Sequence, residues 1–289
     1  MTANAQIIPV GTQPPLSVME RGGSGIPIVF LHGNGFCKEV FNFQFESNRL
    51  SQNRLLAIDL PGHGASPDFD DPFAVYNYAG MAKHVIKTLS TLEVEACIVV
   101  GWSLGGQVAY EMLDDPCIAG IFTIGAPPAQ NGPMGLIKAF HFNRMLLLAG
   151  KAKYTFDDAL HFERSAIGSR ADGSFVNSIL RVDPAFRPAL SRSILRRQGI
   201  SQCDLVDSST KPIAIVHGQN DSFIRESFIT SIRGAAIWRG KAISVSNFGH
   251  APFIERPNNF NKMLSEFAIE VATASSTHQI SPQKLAANG

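Results

Sequence analysis

The pentapeptide Gly101-Trp102-Ser103-Leu104-Gly105 constrains this chain more than any other stretch. It follows a short apolar run, Cys97-Ile98-Val99-Val100, and opens an amphipathic segment that begins at Gly106. That order reads as strand, tight turn, helix. A serine on such a bend is flanked by glycine because the chain is crowded there and a Cβ would clash. The bend lifts the hydroxyl above the carboxyl end of a sheet. The first turn of the next helix turns unpaired N–H groups toward any negative charge that develops nearby. A nucleophilic serine needs this setting. A purely structural strand-to-helix turn is the competing reading, and the residues found elsewhere in the chain decide between them.

At 289 residues the chain has room for one large domain, or for a domain with an inserted subdomain. A hydrophobic content of 45% against 17% charged residues supplies an ample core. The net charge of +1, with no acidic or basic tail, gives no footprint for nucleic acid. The four cysteines, Cys37, Cys97, Cys117 and Cys203, fit no zinc spacing and form no Cys-x-x-Cys pair, so no metal site is expected. The amino terminus lacks the basic-then-apolar pattern of a secretory signal. The longest apolar stretch, around residues 145–149, is too short to cross a bilayer. A soluble, cytoplasmic protein with no membrane or nucleic-acid partner is the expectation.

A short strand is read at 18–21, and largely apolar runs predict further strands at 27–31, 55–59, 97–100, 118–124, 212–216 and 242–245. Amphipathic patterns predict helices at 78–92, after Ser103, at 222–233 and at 258–271. Wholly apolar strands alternating with helices imply a mainly parallel sheet covered on both faces. The rhythm breaks between residues 127 and 209. Helical patterns at 136–148, 156–167, 175–180 and 188–197 stand there without a convincing strand. This stretch is expected to be a helical lid inserted over the carboxyl ends of the strands. Its phenylalanines (Phe140, Phe142, Phe156, Phe162, Phe175 and Phe186) would form its own small core, with a minority facing a pocket. Residues 1–126 and 210–272 would then be the core. Residues 273–289, polar and aperiodic, are expected to be disordered.

A serine hydroxyl needs a base to take its proton and an acid to orient that base. Asp221, in His217-Gly218-Gln219-Asn220-Asp221, follows a predicted strand and shares the sheet edge of Ser103. His250, in Gly249-His250-Ala251-Pro252, follows the last predicted strand and lies on that edge too. The chain order is therefore Ser, Asp, His. Asp221 could instead cap a helix starting at Ser222, and His250 could be an ordinary loop histidine. Asp204 and Asp207 compete for the acid role, but they precede their strand and fall at the wrong edge. An oxyanion also needs preset donors. The amide of Leu104 is one by the geometry of the bend. The second falls to Asn34 in Leu31-His32-Gly33-Asn34-Gly35-Phe36, where glycines let the backbone come close. His32 and His217 read as structural. Trp102 and Phe36 suggest an apolar acyl pocket, although Trp102 could equally pack beneath the bend.

These pieces, together with Asp59-Leu60-Pro61-Gly62-His63-Gly64-Ala65-Ser66 and Gly105-Gly106, resemble the α/β-hydrolase fold superfamily, in its lidded esterase-like branch. The resemblance covers residues 16–271 apart from the lid. It implies an eight-stranded sheet, with Ser103 as nucleophile, His250 as base, Asp221 as acid, and oxyanion donors at the Asn34 and Leu104 amides. The loop from Asp59 to Ser66 shapes a strand end in this family, and no chemistry is assigned to it. Ser103 argues against dehalogenases and epoxide hydrolases, which carry aspartate at the bend. The order Gly-Trp-Ser-Leu-Gly argues against proline-specific aminopeptidases. Carboxylic ester hydrolysis is the expected reaction, thioesters and lactones included. It would run on a small acyl substrate without metal or organic cofactor, in a monomer or small homo-oligomer. Two rivals stay open: a carbon–carbon bond hydrolase or cofactor-free lyase on the same triad, and a slow-turnover ligand receptor of the same fold. Asn34-Gly35-Phe36 departs from the Gly-Pro-Gly-like run of the carbon–carbon hydrolases, which weighs against the first rival.

Overall fold

The computed structural model describes residues 4–10, 13–141, 148 and 150–279. Its eight strands are β1 (Asn4–Val10), β2 (Gln13–Arg21), β3 (Gly25–Leu31), β4 (Asn53–Ile58), β5 (Cys97–Trp102), β6 (Ile118–Ile124), β7 (Ile213–Gly218) and β8 (Ile243–Val245). They form one sheet in the order β1-β2-β4-β3-β5-β6-β7-β8. The β1–β2 and β2–β4 pairs are antiparallel, and every pair from β4–β3 onward is parallel. All strands from β3 to β8 therefore deliver their following loops to one edge. Every residue of β5 and β7 is buried, which is why these strands read as continuous apolar runs rather than alternating ones.

Helices cover both faces. Thr123 and Phe122 are neighbours on β6 and point opposite ways. The Thr123 hydroxyl meets Tyr110 at 3.0 Å, on the helix that follows Ser103. Phe122 packs its ring against Phe260 and Phe267, both at 5.6 Å, on the carboxyl-terminal helix Pro257–Gln279. The first labelled helix, α1 (Tyr78–Thr91), starts where Asn77 accepts the Gly80 amide at 2.7 Å, an N-cap satisfied by the side chain. The helix after Ser103 is α2 (Leu104–Glu111).

Between β6 and β7 lie α3 (Pro133–Ala139), α4 (Phe156–Ile167), α5 (Val176–Arg181), α6 (Phe186–Leu195) and α7 (Gln202–Ser208). The sequence pattern misses α7. The capping box of Thr155 and Asp158 fixes the start of α4. Of the phenylalanines expected to build this region's core, Phe162 and Phe186 are buried and Phe156 is exposed, while Phe142 lies outside the described residues.

Several expectations need correction. The predicted helix at 136–148 stops at Ala139, and residues 142–147 and 149 lie outside the described residues. The predicted helix at 222–233 shrinks to Glu226–Ile229. Both changes have one cause. Phe140 pairs with Ile224 as an antiparallel bridge, and Arg225 donates to Ala139 O at 3.0 Å, which draws both segments into extended backbone. Strand β1 was not anticipated, because Pro9 interrupts its pattern. An edge strand tolerates that proline, and the register slips between Ile8 and Val10. Residues 273–279, expected to lack structure, continue the last helix, since extending a formed helix costs little. Residues 280–289 lie outside the described residues.

Burial holds the imidazoles of His32, His63 and His217 below the ordinary histidine value. The folded protein keeps them neutral, whereas the unfolded chain takes up protons near pH ~6.5. Their contribution to stability is therefore present above that pH and is lost as the pH falls below it. The melting temperature should drop between about pH 7.5 and about pH 5.5, and His63→Asn should make that drop shallower. Calorimetric melts with the same slope in both proteins would refute the assignment.

Candidate active site

The site is built where α2 is pressed onto the end of β3. A Cβ at Gly105 would lie 2.1 Å from the Leu31 carbonyl oxygen, and one at Gly101 would lie 2.4 Å from the Gly105 carbonyl oxygen. Only glycine permits these approaches. Between them the chain turns so sharply that Ser103 takes φ 52° and ψ −112°, a left-handed conformation costing about 1–3 kcal/mol for a residue with a side chain. Its N–H donates to Ile124 O at 2.8 Å, and its carbonyl accepts from Gly106 and Gln107 at 3.0 and 3.1 Å. The bend is thereby held from both sides, and Ser103 itself is half-buried. Leu104 is the first residue of α2, and the leading N–H groups of a helix have no acceptor within it.

Trp102 ties this bend to the loop after β8. Its ring is 1% exposed and its Nε1–H donates to the His250 carbonyl at 2.8 Å. The centre of the His250 ring stands 5.6 Å from that of Trp102 and 4.5 Å from that of Phe223, both rings tilted against it. Its Nδ1 meets Asp221 Oδ2 at 2.7 Å, and both residues are buried. The other oxygen of Asp221 accepts the Phe223 amide at 2.8 Å, so this carboxylate both caps its own turn and pairs with the imidazole. A Cβ at Gly125, directly after β6, would lie 2.7 Å from His250 Nδ1 and 3.3 Å from Asp221 Oδ2. Gly125 is thus a component of the site that motif reading missed. A glycine after a strand that carries no motif gives no sequence signal of this role.

The loop after β3 forms another wall. His32 accepts the Leu60 amide at Nε2 (3.0 Å) and donates from Nδ1 to the Gly33 carbonyl (2.9 Å), which fixes it as a neutral structural residue. Buried Lys38 binds Asp59 at 2.8 Å, and Asp59 also accepts the amides of Lys38 and Ala65 at 2.7 and 2.9 Å. The Asp59–Ser66 loop is thereby clamped to the loop carrying Asn34. Asn34 is half-buried, and its Oδ1 accepts from Arg187 Nε at 3.2 Å. Ser178 Oγ donates to Gly35 O at 3.2 Å. Arg187 and Ser178, on α6 and α5, had no signal in the sequence pattern.

Phe36 and Trp102, expected at an apolar acyl pocket, lie deep in the packing. Both are about 1% exposed and their rings pack edge to face at 4.8 Å. Trp102 lies beneath Gly33, where a Cβ would come within 2.9 Å of the indole. Phe36 also touches Phe162 and Phe175 from the helical insertion, at 6.3 and 5.5 Å. Asp204 and Asp207 lie on α7, before β7. His217 is buried at the end of β7, with Nδ1 3.1 Å from Gly218 O.

A strained serine, a buried carboxylate–imidazole pair and the start of a helix thus lie on loops at one sheet edge. Residues 28–262 match the model of the Alpha/beta hydrolase family. The AB hydrolase superfamily protein YisY of Bacillus subtilis is 26% identical, over 86% of this chain and 94% of its own length. The pimeloyl-(acyl-carrier protein) methyl ester esterase of Aeromonas hydrophila is 29% identical, over 86% of this chain and 98% of its own length. A solved point mutant of the N-acyl homoserine lactonase AidH, complexed with N-hexanoyl homoserine, superimposes with a TM-score of 0.89. It is 30% identical, over 93% of this chain and 98% of that one.

Removing the indole donor should expose how far the bend depends on its tie to His250. Trp102→Phe leaves the buried His250 carbonyl unpaired and opens a small cavity, so stability should fall by about 2 kcal/mol. Urea unfolding measures this, and a loss under about 0.5 kcal/mol would show that the tie is unimportant.

Proposed function

The chain belongs to the α/β-hydrolase family and is a hydrolase, and from that premise we propose that it cleaves carboxylic esters, lactones included, through an acyl-enzyme on Ser103. The observation that carries this reading is the 2.7 Å contact of His250 Nδ1 with buried Asp221, at the edge where Ser103 is held in strained backbone. Asp221 fixes the imidazole with Nδ1 protonated and stabilises the imidazolium that forms. Nε2 is left to take the Ser103 proton as the hydroxyl oxygen attacks the carbonyl carbon. The oxyanion of the tetrahedral intermediate is held by the amides of Asn34 and Leu104, each donor worth about 3 kcal/mol. The intermediate collapses to the acyl-enzyme, and the imidazolium gives its proton to the departing alkoxide. His250 then takes a proton from water, hydroxide attacks the acyl carbon, and Ser103 leaves with the proton returned.

The ester-cleaving relatives support the reaction class, and the lactonase of known structure favours including lactones. In this reading residues 1–126 and 210–272 are the catalytic core, and 127–209 are a lid that selects the acyl group. The contacts of Ser178 and Arg187 with the Asn34–Gly35 loop support that role for the insertion. The reading includes a cytoplasmic setting and a small acyl substrate. Among the described residues no helix is long and apolar enough to cross a membrane.

Purified protein should hydrolyse p-nitrophenyl esters and take up a fluorophosphonate on Ser103, detected by intact mass. Ser103→Ala should lose the label and at least about a thousand-fold in kcat/KM. Equal rates in the two proteins would end the proposal, and a strong preference for ring-cleavage diketones would replace ester hydrolysis with carbon–carbon cleavage. Asp221→Asn should leave the fold intact and lower kcat by about a thousand-fold or more, since the amide no longer fixes the imidazole tautomer. A kcat near that of the parent would remove Asp221 from the triad.

A further inference from the structure

The helical insertion contains a buried cation that no acid among the described residues compensates. Arg187 on α6 is 2% exposed. Its Nε donates to Asn34 Oδ1 at 3.2 Å, and its guanidinium carbon stands 4.1 Å from the centre of the Tyr154 ring. Its Nη2 has no hydrogen-bond partner among the described residues. No carboxylate among the described residues is within ion-pair distance of it. Asp183, four residues earlier on the chain, is engaged by the Tyr76 hydroxyl and the Ala185 amide. Burying a guanidinium without an anion is unfavourable, and burial accordingly pulls its pKa below the usual arginine value.

The unfilled donor faces the loop after β3. A Cβ at Gly35 would lie 3.5 Å from Nη2, and Gly35 holds φ +85° there. Asn34, the preceding residue, is the proposed oxyanion donor. A group bound to Nη2 would therefore lie beside Gly35, one residue along the chain from that proposed donor. Tyr154 and Asn34 can orient the guanidinium but cannot neutralise it. An anionic oxygen from the ligand can do both, and a carboxylate is the anion whose shape the guanidinium fork fits.

We propose that Arg187 is a specificity-determining residue that binds a carboxylate in the acyl part of the substrate, so that half-esters of dicarboxylic acids are preferred over neutral esters of equal length. The proposal rests on the catalytic reading of Ser103, and its test separates the two.

Wild-type protein should turn over mono-p-nitrophenyl glutarate with a kcat/KM about ten-fold or more above that for p-nitrophenyl pentanoate. Arg187→Met should cut this preference by about ten-fold, chiefly through KM, and Arg187→Lys should restore part of it. A preference for the neutral ester in the wild type would overturn the proposal. So would equal losses on both esters in Arg187→Met, which would make the residue only a support for Asn34. A binding measurement is independent of turnover. Monomethyl glutarate titrated calorimetrically into Ser103→Ala should bind, and adding Arg187→Met should abolish the heat. No heat with Ser103→Ala would overturn the proposal even if esters are cleaved. Binding by Ser103→Ala, with no ester cleaved by the wild type, would uphold the carboxylate site and refute the catalytic reading instead.

Discussion

The close seating of α2 on the end of β3 is the constraint on which the rest depends. The backbone of Gly105 passes so near the Leu31 carbonyl that no side chain fits between them. Once that contact is made, the chain between β5 and α2 has no room for an ordinary turn. The strain falls on Ser103, whose backbone takes a left-handed conformation. The energy for holding it comes from the surrounding packing: wholly buried β5, the Ser103 amide bonded to β6, and Trp102 wedged below. A rigid core thus carries a local distortion of a few kcal/mol and keeps one hydroxyl in a fixed place.

From that point the polar ties spread outward. Trp102 reaches the loop after β8 through the His250 carbonyl, and His250 reaches the loop after β7 through Asp221. On the other side, the Lys38–Asp59 pair clamps the loops after β3 and β4. Each tie is buried, so leaving either partner unpaired costs more than the bond itself contributes. The helical insertion joins the same network at the Asn34–Gly35 loop, through Arg187 and Ser178. A change in the insertion is felt by backbone close to the strained serine, although the two are far apart in the chain.

Local patterns were most legible where one element decides its own fate. The largely apolar strands β5, β6 and β7, and helix α1 with its Asn77 cap, follow from periodicity and punctuation. They failed where a distant segment outbids local preference. Residues 222–225 carry a helical pattern, yet Ile224 pairs with Phe140 and the helix begins only at Glu226. Pro9 disguises β1 because a proline argues against a strand unless the strand is known to be at an edge, and edge position is a property of the sheet.

The sequence alone determined the order of strands β2 to β8, the glycine-flanked bend at Ser103, and the positions of Asp221 and His250 after their strands. Those features are written in residue types a few positions apart. Only the tertiary structure decided that one oxygen of Asp221 caps its own turn while the other meets His250. Likewise, it alone showed that Phe36 and Trp102 pack edge to face, and that Arg187 is buried beside Asn34 with no acid paired to it among the described residues. Burial and pairing across more than a hundred residues arise from how the insertion is laid against the sheet, and the local run of residues has no means of recording that.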